Sequence, residues 1–161
     1  MKIKSIGTIK TPYTDKAPYQ PQDYALGDFM LILKPEYSGG LKDLEKFRYC
    51  YVLFYMDKTE QHTALTAHPP WLNGKAIGLF ASRSPNRPNP IGLSIVKIKS
   101  IEKNIIRISP IDALDGTPLL DIKPYIKDLD SKKDAGYGWL DKDANGLDHL
   151  LLHIKGVPHE H

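Results

Sequence analysis

Short apolar runs separated by Pro, Gly and charged residues dominate the chain, and most of them read as strands. MKIKSIGTIK alternates with period two, Ile3, Ser5 and Gly7 in one phase and Ile6 in the other, until TPY ends the run. GDFMLILK (27–34) and YCYVLFYM (49–56) are continuous apolar runs, rich in branched and aromatic residues and too short for confident assignment to helices. KAIGLFAS (75–82) and IGLSIVKIKSIE (91–102) are two further strand-like runs. NIIRISPID (104–112) follows a Lys-Asn turn and reads as the hairpin partner of 91–102. Helical signals are few. SGGLKDLEKFRY spaces Leu41, Leu44 and Phe47 by three, enough for one or two turns. NGLDHLLLHIKG places Leu147, Leu150, Leu151 and Ile154 on one stripe, with Gly156 and Pro158 as a stop. Between 127 and 146 the chain is polar and turn-rich and reads as an extended surface segment. About six strands without regular β–α alternation predict a single mainly β domain, an antiparallel barrel or sandwich with short helices.

Composition narrows this picture only a little. At 161 residues, 41% hydrophobic and 25% charged, the chain has the make-up of one globular domain. No apolar run reaches the ~18–20 residues that span a bilayer. The opening residues lack a signal-peptide core, so a cytoplasmic protein is expected. A net charge of +3, with lysines dispersed, permits contact with nucleic acid without demanding it. Cys50 stands alone within RYCYVLFYM and is expected to act as a small core hydrophobe.

Two segments carry candidate chemistry. In SRSPNRPNPIG, Pro85, Pro88 and Pro90 each fix φ and stiffen the loop, so little entropy is lost when a ligand arrives. Arg83 and Arg87 offer planar forks for a carboxylate or phosphate, and Asn86 and Asn89 offer amide edges. The competing reading is a stiff connection with solvated arginines. In DALDGTPLLDIKPY, Asp112, Asp115 and Asp121 lie close in sequence around a turn at Gly116. They suit either a turn that ends a strand or a negative wall facing a cationic or polyhydroxylated ligand. Calcium-loop spacing is lacking, so no metal is expected. His149 and His153, at i and i+4, have no intervening Glu, and with His159 and His161 they read as surface histidines. His68 belongs to a loop held by Pro69, Pro70 and Trp71. There is no phosphate-binding glycine loop, no nucleophile elbow and no cysteine nucleophile. From the residues alone, the two segments suit a zwitterionic or mixed-charge ligand.

ASRSPNRPNPIGLS followed by DALDGTPLLDIKPY, together with IGTIKTPY and LKDLEKFRYCYVLFYM, resembles the TrmO family, also called TsaA-like or YaeB. The resemblance runs from about Lys2 to Tyr125. It implies an antiparallel β-barrel over residues 1–140, with residues 141–161 as a C-terminal short helix and tail; where longer members carry a further domain, this chain has about 35 residues that end in that helix. It implies a methyltransferase that uses S-adenosylmethionine (SAM), acts on the N6 nitrogen of threonylcarbamoyladenosine beside the tRNA anticodon, and works as a homodimer without metal. The alternatives are a SAM-binding barrel with another small-molecule or RNA acceptor, and a non-enzymatic SAM- or RNA-binding module. By position, the resemblance assigns cofactor binding to Gln20, Pro21 and Gln22 of YQPQ, to Asp57 and Lys58, to Arg83 and Leu93, and to Asp112, Ala113, Leu114 and Asp115. A larger bacterial member has His-Gln where this chain has Asp57-Lys58. Arg87, Asn86, Asn89, Lys123 and Tyr125 are the acceptor-side candidates, and no catalytic base is assigned.

Overall fold

The computed structural model describes residues 2–22, 24–59, 64–72, 74–140 and 144–155. Strands β1 (Gly7–Lys10), β2 (Met30–Leu33) and β3 (Tyr49–Tyr55) are followed by a two-residue ladder of β4 (Thr66–Ala67) and β5 (Ile77–Gly78). Then come β6 (Ile91–Glu102), β7 (Ile105–Ile108) and β8 (Pro118–Pro124), a short helix α1 (Lys127–Asp130) and the longer α2 (Ala144–Lys155). The protein is thus mainly β with short helices. All pairings are antiparallel. The main sheet runs β1-β2-β7-β6-β3-β8, and β8 pairs back onto β1, so the order returns to its start.

Alternation explains the core. Ile9, Leu31, Leu33, Cys50, Val52, Phe54, Val96, Ile106, Ile108 and Leu119 all point to the inside of this sheet and are almost fully buried. Cys50 is among them, and burial pushes its thiol up to about 12, which makes it an inert hydrophobe. The strand 91–102 forms at the bounds expected from the sequence. It pairs with β7 through a turn in which Lys103 adopts φ 55°.

Other elements depart from the sequence pattern. The N-terminal run is a strand only from Gly7, although Ile6 N–H still donates to Leu119 O; Ile3 is exposed. The run 75–82 gives only Ile77–Gly78 and then a 3-10 turn, Leu79–Ala81, closed by the Ser82 hydroxyl donating to Leu79 O at 2.8 Å. It does not join the main sheet: among the described residues its strand partner is the equally short Thr66–Ala67. The helical signal around residue 41 becomes two 3-10 segments, Pro35–Leu41 and Leu44–Lys46, which seat Leu41 and Leu44 on the core. The segment after 126 is not wholly extended: it holds α1, a 3-10 turn at Gly138–Leu140 and the start of α2. Helix α2 packs on the Pro70–Leu72 turn. Its expected stop at Gly156 and Pro158, and His159 and His161, lie outside the described residues, as do the side chains of Leu147, His149 and His153. Among the described residues no helix is long and apolar enough to cross a membrane.

Candidate functional site

Antiparallel pairing sends the C-terminal ends of β1, β3 and β7 and the N-terminal ends of β2, β6 and β8 to the same rim of the sheet. Four connections meet there: residues 11–29, the segment after Tyr55, the proline-rich loop before Ile91, and the 109–117 link between β7 and β8. They enclose a cavity of about 800 Å³. Phe54, Met56 and Ala113 give it an apolar floor, while Gln20, Asp57, Lys58, Ser82, Arg83, Ser84 and Asp112 give it polar walls. The proline-rich loop and the aspartate turn, about 30 residues apart in sequence, therefore line one cavity.

The turn 112–117 is fastened to the end of β1. Asp115 N–H donates to Tyr13 O at 2.7 Å, Gly116 N–H to Ile9 O at 2.9 Å, and the buried Thr11 hydroxyl to Ala113 O at 2.9 Å. Gly116 supplies φ 79°, which other L residues adopt only with strain. This clamp holds the Asp112 carboxylate at the cavity wall. Ser94, an inward polar residue of β6, donates its hydroxyl to Asp112 Oδ1 at 2.9 Å. Burial pushes the Asp112 carboxyl above the usual range, opposed by the Ser94 hydroxyl, its own backbone N–H and the charge of Arg83. Tyr13, beside it, is raised by burial and by the charges of Tyr24 and Asp112. The site thus sets the partly desolvated Asp112 carboxylate against the Arg83 guanidinium, a pairing suited to a ligand bearing both an ammonium or hydroxyl group and a carboxylate.

Of the sequence candidates, Gln20, Asp57, Lys58, Arg83, Asp112, Ala113 and Leu114 line this cavity. The others do not. Pro21 and Gln22 lie further along the connection, where Gln22 O accepts from Ala25 N–H in a turn. Asp115 turns its carboxylate away to Lys10 Nζ (2.9 Å) and Thr11 N–H (3.1 Å), contacts that hold its pKa below the ordinary value. Its carbonyl accepts from Lys58 Nζ at 3.1 Å, so it braces the wall from behind. Leu93 sits mid-strand on the outer face of β6, opposite Leu53 and 59% exposed. Arg87 folds back on its own loop, its guanidinium donating to Ser82 O and Ser84 O at 3.4 Å each, and Asn86 and Asn89 are exposed away from the cavity. Lys123 and Tyr125 lie at the opposite rim, Lys123 paired with Asp121 at 2.7 Å and Tyr125 packed on Tyr51. The three aspartates of the acidic segment therefore disperse to three different partners and form no common wall.

The sequence reading missed the far side of the cavity. Tyr19, His68, Pro69, Pro70 and Phe80 line it, as do Tyr137, Trp139 and Leu140 of the C-terminal segment and Leu150 and Ile154 of α2. The apolar stripe of α2 was visible as periodicity, but its target was not. Trp139 sits in a polar stretch and gave no signal.

The model of the tRNA-methyltransferase O N-terminal domain family matches residues 8–131. A probable S-adenosyl-L-methionine-binding protein of Pyrococcus abyssi is 37% identical over 147 residues, covering 90% of this chain and 79% of that protein. The tRNA (adenine(37)-N6)-methyltransferase of Escherichia coli is 38% identical over 144 residues, covering 83% of this chain and 61% of that one. The crystal structure of TrmO from Pseudomonas aeruginosa superposes with a TM-score of 0.70 at 32% identity, covering 86% of this chain and 62% of that one. This chain thus spans less than two thirds of the latter two proteins. With the match running from β1 through β8 and including the clamped aspartate turn, the chain belongs to the tRNA-methyltransferase O N-terminal domain family.

Proposed function

We propose that this protein is a SAM-dependent methyltransferase that acts on the N6 nitrogen of threonylcarbamoyladenosine next to the tRNA anticodon. The observation that carries the reading is the joint placement of Arg83 and Asp112–Leu114 in one cavity, within a chain of this family. The E. coli relative, named a tRNA (adenine(37)-N6)-methyltransferase, supplies the reaction class. The Pyrococcus relative, named for S-adenosyl-L-methionine binding, supports the cofactor.

The residues present fit the group. Arg83 matches a carboxylate as a fork, Asp112 accepts from hydroxyl or ammonium donors, and Ala113, Leu114, Phe54 and Met56 offer apolar surface for a flat heterocycle. When bound, SAM supplies an activated methyl on a sulfonium. The protein's own work is to orient the reactants and exclude water. Methyl transfer removes positive charge from sulfur, so a carboxylate touching it would favour the ground state. Asp112, hydrogen-bonded by Ser94 and offset in charge by Arg83, is accordingly assigned to the polar ends of the cofactor. Gln20, Asp57 and Lys58 complete that wall, with Asp115 bracing Lys58 from behind.

We read the closed strand order as an antiparallel barrel occupying residues 1–140, with residues 141–161 as a C-terminal appendage whose helix covers the cavity. With tRNA as the acceptor we also infer a cytoplasmic location, and with SAM as the methyl donor a reaction without metal. The outer face of β3 and β6 supports a homodimer: Tyr49, Tyr55, Ile91, Leu93 and Ile95 are exposed there in adjacent register and form an apolar band of the kind that marks an interface. Leu93 then acts at a subunit boundary.

The test is methyl transfer from radiolabelled SAM to bulk tRNA, followed by mass spectrometry of the nucleosides. Methylated threonylcarbamoyladenosine is expected, and Arg83→Ala is expected to weaken SAM binding sharply without loss of fold. Label in another nucleoside redirects the acceptor assignment. A fully active Arg83→Ala enzyme removes that residue from the site. Affinity for tRNA should fall with added salt, because phosphate contacts release counterions.

A further inference from the structure

The cavity has a second wall, chemically unlike the first. The charged wall comes from residues within 8–131, the part shared with the family. The opposite rim includes Phe80 and, from outside that part, Trp139, Leu150 and Ile154. The 3-10 turn Leu79–Ala81 is rigidly seated. Leu79 is 1% exposed, Ser82 closes the turn on Leu79 O, and the Trp139 indole N–H donates to Ala81 O at 2.8 Å. Yet Phe80, inside this fixed turn, is 78% exposed. A rigid turn that holds a phenyl ring into solvent at the mouth of a cavity sacrifices hydrophobic burial, and both of its neighbours are used to keep the ring there.

A flat apolar surface at the mouth, across from the wall whose Arg83 and Lys58 are assigned to the cofactor, matches a flat heterocyclic ligand entering beside it. We propose that the Phe80 edge, pinned by Trp139, is the acceptor subsite, where an unpaired RNA base stacks as it enters the cavity. Single-stranded bases are held in this way on aromatic side chains, while cations hold their phosphates. The C-terminal segment, through Trp139 and the Leu150–Ile154 face of α2, shapes the width of the subsite, so acceptor selection rests partly on residues outside the family-shared part. This inference rests on the methyltransferase reading for the identity of the opposite wall, but stacking is measurable without turnover.

The probe is a short RNA hairpin carrying 2-aminopurine in its loop, titrated into the full chain and followed by fluorescence. SAM binding is measured in parallel by calorimetry, and oligomeric state by sedimentation. Wild type should quench the probe. Phe80→Ala should weaken hairpin affinity about five- to hundred-fold, the loss expected for one stacking platform, and abolish quenching. SAM affinity and sedimentation should stay unchanged, and Phe80→Trp should restore hairpin binding. Unchanged hairpin affinity in Phe80→Ala overturns the proposal. So does an equal loss of SAM affinity, which makes Phe80 an adenosyl platform, and so does altered sedimentation, which makes it an interface residue. If wild type fails to bind SAM yet still quenches through Phe80, the methyltransferase reading falls and the base subsite stands.

Discussion

Gly92 sits opposite Phe54 in the β3–β6 ladder, and its lack of a side chain joins the sheet to the cavity. A methyl group added there would overlap Cε2 and Cζ of the Phe54 ring and lie 2.7 Å from Cδ2. Phe54 is only 4% exposed, and its ring also lines the cavity. The overlap has two ways to relax. If the ring stays and β6 shifts, Gly92→Ala costs about 1–3 kcal/mol, as overpacked cores do. At roughly 2–4 °C per kcal/mol for a chain of this length, the Tm falls by about 2–12 °C. If instead the ring retreats by on the order of 1 Å into the cavity, stability is largely kept and SAM affinity falls. Thermal unfolding by circular dichroism and SAM calorimetry on the same variant separate these routes. The companion variant is Gly92→Ala with Phe54→Leu. A shorter side chain removes the clash, so the double variant should be more stable than the sum of the singles, by a coupling of about 0.5–3 kcal/mol. Wild-type Tm and wild-type SAM affinity together in Gly92→Ala, or singles that add strictly in both stability and SAM affinity, would refute the argument.

Other outcomes follow from the same geometry. Asp112→Asn should weaken SAM binding and yet stabilise the fold near neutral pH. The raised carboxyl makes stability fullest below the unfolded value of about 3.9 and lowers it as pH climbs through the folded value; Asn removes that loss, as Tm measured against pH will show. Asp115→Ala should act in the opposite sense. Its lowered carboxyl stabilises above the unfolded value and loses that contribution as pH falls through the folded one. Since Lys10 is half exposed, the loss at neutral pH is about 1–2 kcal/mol by urea unfolding, with a weaker dependence on acid than in wild type. Trp139→Phe removes the hydrogen bond to Ala81 O and should cost about 0.5–1.5 kcal/mol, with faster proteolysis after residue 131 in limited digestion.

Strand periodicity is legible because each side chain reports its own face. The 91–102 run shows buried and exposed positions in turn from Ile91 to Lys97, and the hairpin after it needs only a local turn at Lys103 and Asn104. What periodicity omits is where a partner strand ends. Residues 2–5 continue the alternation, but the ladders with β2 and β8 begin at Gly7, with Ile6 making the last flanking backbone bonds to Leu119 and Lys34. Residues 75–82 look equally strand-like and lack a partner of matching length, so Leu79 alone is buried deeply and Phe80 is left out.

The site was legible to the extent that its chemistry is local. Arg83 and Asp112 were found as the polar ends of two segments, and the family resemblance joined them. Asp115 and Arg87 do not line the cavity, because a tight turn and a proline-braced loop each satisfy their own charged groups first: Asp115 against Lys10 and Thr11, Arg87 against the carbonyls of Ser82 and Ser84. These residues shape the pocket by holding its walls rather than by facing into it. The opposite wall was illegible for the converse reason. Trp139 meets Ala81 across 58 positions of chain, a contact that neither composition nor spacing encodes. The division has a physical consequence. Residues that clamp the aspartate turn lie within the family-shared part and fix the charged wall, whereas Trp139, Leu150 and Ile154 lie beyond residue 131 and can change without disturbing that clamp. A cavity whose charged wall is clamped while part of its opposite wall comes from beyond residue 131 can alter what enters while preserving what the charged wall holds.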